Sequence, residues 1–107
     1  TSPPAAMPKF EWDENKNAKN KAKHKIGFEE AKTVFSDKDA IELEANRNGE
    51  YRIVRIGKTA AKFILLVVYT MRGIVVRLIS ARQANRKERN LYIEQKFKNQ
   101  SDEGPDR

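Results

Sequence analysis

The chain has no cysteine, one histidine (His24) and one tryptophan (Trp12) among its 107 residues. Without cysteine there is no disulfide, no thiol nucleophile and no thiolate metal site. A single histidine excludes a multi-histidine metal centre. No clustered acidic motif of the kind that holds Mg²⁺ is present, so neither a metal nor another cofactor is expected. Long apolar runs are missing as well. The longest, residues 63–69, falls far short of the ~20 residues that a bilayer helix needs. No charged-then-apolar leader opens the chain, and the expectation is a cytoplasmic protein with no membrane contact.

Positive charge is what the chain has in excess. Its 22 Lys and Arg face 15 Asp and Glu, a formal net charge of +7. The acidic residues are interspersed, so this is a basic domain and not a basic tail. Such a balance favours a polyanionic partner, with nucleic acid first and an acidic protein second. The length fits one small domain.

Residues 1–9 are rich in Pro and Ala, and residues 99–107 carry no apolar anchor. The first segment reads as a disordered tail or as residues foreign to the natural chain, with Met7 as a candidate start. The second reads as a disordered C-terminal tail. Between them lies a single domain over 10–98. Residues 10–12 look extended. Asp13 offers an N-cap oxygen for a Lys- and Asn-rich helix over 14–24. Gly27 separates it from a second short helix, 28–35, with Phe28, Ala31 and Phe35 on one face.

Alternation of period 2 follows. Ile41 and Leu43 share a face in 40–44, and Asn46-Arg47-Asn48-Gly49 is a turn signal. Strands are expected at 51–56, 63–70 and 74–80. The 63–70 strand is apolar on both faces and hence central and covered twice. Asn85-x-x-Glu88 has the spacing of a capping box opening a helix over 86–98. Leu91, Tyr92 and Phe97 are its candidate buried contacts. The fold class is α+β: two N-terminal helices, an antiparallel sheet of four strands or slightly more, and a C-terminal helix.

The arginines carry the chemical information. Arg77 sits inside the apolar 74–79 segment, where an unpartnered guanidinium is costly. It therefore pairs with a carboxylate or opens onto a cleft. Arg72 flanks the preceding turn and Arg82 ends the strand. His24 closes the first helix, where the helix dipole favours imidazolium and a proton-donor role. Trp12 is a candidate for base stacking, or for the core. The lysines of the first helix form a candidate phosphate track, or a solvated face.

Cleaving RNA without a metal requires a base for the 2′-OH, an acid for the leaving 5′ oxygen and cations for the charge growing on phosphorus. Arginine's planar fork suits the last task. Glu11, Asp13, Asp37 and Glu88 are the available carboxylates, and the sequence selects none of them.

Several blocks resemble one known family. Phe10-Glu11-Trp12-Asp13-x-x-Lys16, Asn20-x-x-Lys23-His24 and Phe28-Glu29-Glu30-Ala31 are similar to the N-terminal signature of the BrnT toxins. Ile56-Gly57, the 65–73 hairpin ending in Thr70-x-Arg72-Gly73, and Arg77-x-Ile79-Ser80-Ala81-Arg82-x-Ala84-x-Arg86-x-Glu88-Arg89 match the C-terminal half. The resemblance spans about residues 10–94 and departs at three places. Lys25 stands where the family has Gly after the His, Gly27 where it has Ser, and Lys58 where Arg is common.

The resemblance implies a RelE-like α+β fold and an endoribonuclease that shuts down translation. It implies a BrnA-like ribbon-helix-helix antitoxin as partner, with operator DNA reached only through the antitoxin. It also implies His24, Arg72, Arg77 and Arg82 as catalytic residues, and Trp12 and Lys23 as RNA-binding ones. The alternative reading is a non-catalytic module, a degenerate toxin that binds nucleic acid or a partner as co-repressor.

Overall fold

The structure is a computed structural model describing residues 8–102, with side chains through residue 98. Helix α1 (Glu14–His24) starts where the Asp13 carboxylate accepts the Asn15 N–H at 2.8 Å. It ends at Lys25, whose φ of 65° is left-handed and whose N–H closes onto the Lys21 carbonyl. Glycine adopts that conformation without a steric penalty. Helix α2 (Phe28–Ala31) is capped by Gly27, which has no side chain to offer. Asn17 of α1 supplies the missing acceptor by taking the Phe28 N–H at 2.9 Å.

The second helix does not run on to residue 35 as α-helix. It tightens into a 3-10 helix over Lys32–Ser36. At three residues per turn, Phe28, Ala31 and Val34 stack on one side, and all three are fully buried. Phe35 takes the flank, edge-on to Phe10 and Tyr69.

The sheet contains β1 (Lys9–Glu11), β2 (Ile41–Glu44), β3 (Ile53–Lys58), β4 (Ile64–Arg72) and β5 (Val75–Gln83), in the order β1-β5-β4-β3-β2. The antiparallel expectation is corrected at one edge: β1 joins as a fifth strand and pairs parallel to β5. Hairpin signals reveal antiparallel neighbours only. A parallel partner from the far end of the chain leaves no local mark. The turn before β3 uses left-handed Asn48 and Gly49, as Asn-Gly spacing suggests. The strand itself begins at Ile53, so Tyr51 and Arg52 remain in the connection.

β4 is the central strand and is buried on both sides. On one face Leu65, Val67, Val76, Leu78 and Ala81 pack under α1 and α2 with Ile26 and Phe28. On the other, Leu66 and Ile56 meet Ala84 and Tyr92. Close approach of β3 to the 3-10 helix requires Gly57. A Cβ there would lie 2.9 Å from the Ala40 Cβ and 3.3 Å from that of Val34.

Helix α3 (Arg86–Asp102) opens with the expected capping box: Asn85 Oδ1 accepts the Glu88 N–H, and Glu88 Oε1 accepts the Asn85 N–H, both at 2.8 Å. Of its three candidate contacts, only Tyr92 is buried. Leu91 is 40% and Phe97 64% exposed. Beyond Tyr92, the helix lines an open groove with β2 through Leu91, Glu94, Gln95 and Lys98. The helix includes residues 99–102, part of the segment read as a tail. Residues 103–107 and 1–7 lie outside the described residues, whereas Lys9 belongs to β1.

Candidate functional site

Side chains alternate along a strand, so residues five apart, such as Arg77 and Arg82, fall on opposite faces of a regular β5. The observed register differs. Tyr69 pairs with Leu78 and Val68 with Ser80, leaving Ile79 as an extra residue in a β-bulge. Beyond the bulge the alternation is shifted by one. Arg72, Arg77 (opposite Thr70) and Arg82 (opposite Leu66) therefore share one face, the side turned away from α1 and α2.

The parallel pairing of β1 sets Glu11 beside Arg77 on this same face. Glu11 Oε2 lies 3.0 Å from an Arg77 terminal nitrogen and 3.9 Å from Arg72 Nε. One carboxylate oxygen thus gathers two guanidinium groups. Arg77 is 29% exposed and Arg72 66%. Both line a pocket of about 460 Å³ with Lys16, Arg52, Glu50, Thr70 and Ile79. Arg52 holds Glu50 at 2.6 Å. Among the described residues the pocket is thus lined by four cations and one carboxylate, Glu50, with Glu11 paired to Arg72 and Arg77, and the excess charge favours an anionic guest.

Arg82 stands at the other end of the face. Both its terminal nitrogens bond the Glu88 carboxylate, at 2.9 and 2.8 Å. That hydrogen bonding holds the Glu88 carboxyl below its usual range, outweighing the opposing effect of burial. The same pairing pushes the Arg82 guanidinium's pKa up.

His24 is the last residue of α1, a helix covering the opposite face of the sheet. Among the described residues its imidazole makes no hydrogen bond, ion pair or ring contact. Helix α1 runs beside β5, with Lys16 at the arginine pocket and Asn20 bonded to Ala81, and His24 lies one turn further on. Lys23 is exposed. Trp12 packs edge-on against Phe28, centroids 5.9 Å apart, and its indole N–H donates to Glu14.

Of the six residues named from the sequence, Arg72 and Arg77 are brought together and Arg82 joins them on the same face. His24, Lys23 and Trp12 belong to the helical side. Lys16, one of the lysines of the candidate phosphate track, lines the pocket, as do Arg52 and Thr70, to which the sequence assigns no role. Of these, the hairpin register offered a signal for Thr70, which faces Arg77 across the two strands.

Three of the four candidate carboxylates have structural employment. Asp13 caps α1. Glu88 holds Arg82 and caps α3. Asp37 accepts from the Tyr92 hydroxyl and the Lys58 and Asp39 N–H groups. Burial pushes its carboxyl up, but these bonds and nearby Arg55 bring it below the usual range. Glu11 is the fourth, and it pairs with Arg72 and Arg77, which line the pocket. Among the described residues no three acidic or histidine side chains gather as metal ligands.

A family model described as the ribonuclease toxin BrnT of type II toxin–antitoxin systems matches residues 12–88. Among solved structures, the chain is similar to the crystal structure of the Brucella abortus ribonuclease toxin BrnT. The two are 26% identical, with a TM-score of 0.60, over 74% of this chain and 99% of that one. No curated protein matches.

Proposed function

The chain belongs to the BrnT family of ribonuclease toxins of type II toxin–antitoxin systems, and from that premise we propose that it is an endoribonuclease whose scissile phosphate sits at Arg72 and Arg77. The observation carrying this reading is the convergence of two guanidinium groups on a single carboxylate oxygen in a cationic pocket. A phosphodiester carries the same single negative charge as the carboxylate it would replace, and like it offers two anionic acceptor oxygens. Guanidinium forks bind both, and they neutralise charge that grows on the phosphorus oxygens during attack.

Arg82 is a further phosphate contact along the same face once Glu88 releases it. His24 is the assigned proton donor for the leaving 5′ oxygen, and Trp12 and Lys23 are supporting RNA contacts. The reaction needs no metal. In the cell it blocks translation in the cytoplasm until a BrnA-like ribbon-helix-helix antitoxin binds the toxin, and operator DNA is reached only through that antitoxin. The fold is read as RelE-like.

The test is cleavage of a defined RNA by purified protein in EDTA, with circular dichroism as the folding check. Wild type cuts and leaves 2′,3′-cyclic phosphate ends, while Arg77→Ala loses about 10²–10³-fold in rate. His24→Ala, run beside it, is expected to slow cleavage by about 10²–10⁴-fold, and an unchanged rate removes His24 as the proton donor. RNA that is bound but left intact overturns the nuclease. The net charge of +7 and the locked Arg82–Glu88 pair favour the second reading in that event, a binding module of toxin descent.

A further inference from the structure

We propose that Glu11 is the general base of this ribonuclease, the carboxylate that takes the 2′-OH proton, and that strand β1 exists in the fold to deliver it. The proposal rests on the phosphodiester site assigned to Arg72 and Arg77. Glu11 is the last residue of a three-residue strand that, among the described residues, pairs with β5 alone. Its parallel register sets Glu11 against Arg77, while its neighbour Phe10 turns to the other face and wedges against Phe35. Alternation along three residues thus anchors the strand with one side chain and aims the next at the pocket. A chain needing only an edge strand has no use for a carboxylate aimed this way.

The other three candidate carboxylates, Asp13, Asp37 and Glu88, are held in caps and networks. Among the described residues, the Glu11 carboxylate has ion-pair contacts only with the two guanidinium groups that are to receive the phosphate. When a phosphodiester takes those guanidinium groups, Glu11 is displaced by roughly the width of one anion. It then stands beside the nucleotide that carries the attacking hydroxyl.

The step balances as follows. The Glu11 carboxylate accepts the 2′-hydroxyl proton, and the 2′ oxygen forms a bond to phosphorus. The bond from phosphorus to the 5′ oxygen breaks, and that oxygen leaves as a hydroxyl with the proton assigned above to His24. The products are a 2′,3′-cyclic phosphate and a 5′-hydroxyl end, with Glu11 protonated until solvent takes its proton. The charged groups set against Glu11 are Arg77 on β5 and Arg72 on β4, with Lys9 on the same face of its own strand; Lys16, Arg52 and Glu50 line the pocket that the two arginines share.

The experiment measures kcat and KM against pH for wild type, Glu11→Gln and Glu11→Asp on one RNA. Glu11→Gln is expected to lower kcat by about 10²–10⁴-fold. KM stays level or falls, since a competitor of the phosphate is gone, and the acid limb of the kcat/KM profile disappears. Glu11→Asp keeps that limb with an intermediate kcat. Binding of an RNA with a 2′-deoxy substitution at the cleavage site, which cannot react, reports the pocket separately and stays intact in Glu11→Gln. A Glu11→Gln protein that keeps wild-type kcat and the acid limb overturns the proposal while the nuclease stands. So does one that loses non-reactive binding along with its fold while Glu11→Asp, folded, shows a flat acid limb. A wild-type protein that cuts no RNA removes the phosphodiester site itself, a different failure.

Discussion

Asn20 joins the helical layer to the sheet through one side chain. It is buried, donates to the Ile26 and Ala81 carbonyls at 2.8 Å each, and accepts the Ala81 N–H at 3.1 Å. Its amide stands in for the neighbouring strand that β5 lacks at that level, because β1 reaches only to Arg77. Asn20→Ala strands two carbonyls and an N–H, and is expected to lower stability by about 2–4 kcal/mol, read as a drop in the urea midpoint at unchanged m. The sequence shows Asn20 only as part of a motif; nothing in its spelling foretells a backbone partner 61 residues away. Lys25 is more legible. The family's glycine at that place answers the left-handed cap, and lysine adopts the same angle under strain. The arginine positions can be read from the chain directly. Their common face cannot, because no residue type announces a bulge.

Among the elements, the helices declare themselves best. Asp13 and the Asn85-x-x-Glu88 box start α1 and α3 where local chemistry says they start. Asn85→Ala is expected to cost about 1 kcal/mol of stability, measured by thermal melting. It also removes one of the two capping bonds that keep Glu88 turned toward Arg82, so the Arg82 pair loosens with it. The strands were legible as a hairpin series and illegible at the edge. β1 has three residues, too few for a period to show, and its partner is the last strand of the sheet. The outward Leu91 and Phe97 of α3 show the converse limit. Apolar spacing states what a helix is able to bury, and the size of the sheet beneath decides how much of it is covered.

For the molecule as a whole, acid is the expected weak point. Asp37 and Glu88 both have folded-state pKa values below the unfolded ones. Each therefore contributes stability that is present above its unfolded pKa and is lost as pH falls through the folded value. Asp37 joins the 3-10 end to β3 and α3, and Glu88 joins the start of α3 to β5. Unfolding titrations between pH 7 and pH 3 should show stability level above the ordinary carboxylate range and falling below it. Asp37→Asn flattens that fall, and an unchanged acid profile in both Asp37→Asn and Glu88→Gln removes the explanation.

The extra residue at Ile79 gives β5 something resembling the reading frame of a gene. Everything on its far side is legible only in the phase that the insertion sets. Were Ile79 drawn into the regular pairing, every letter of the strand's end would stay intact and each would turn to the wrong side, sending Arg82 among the helices and Ala81 into water. A relative lacking the insertion has to write its two arginines four apart instead of five to convey the same message.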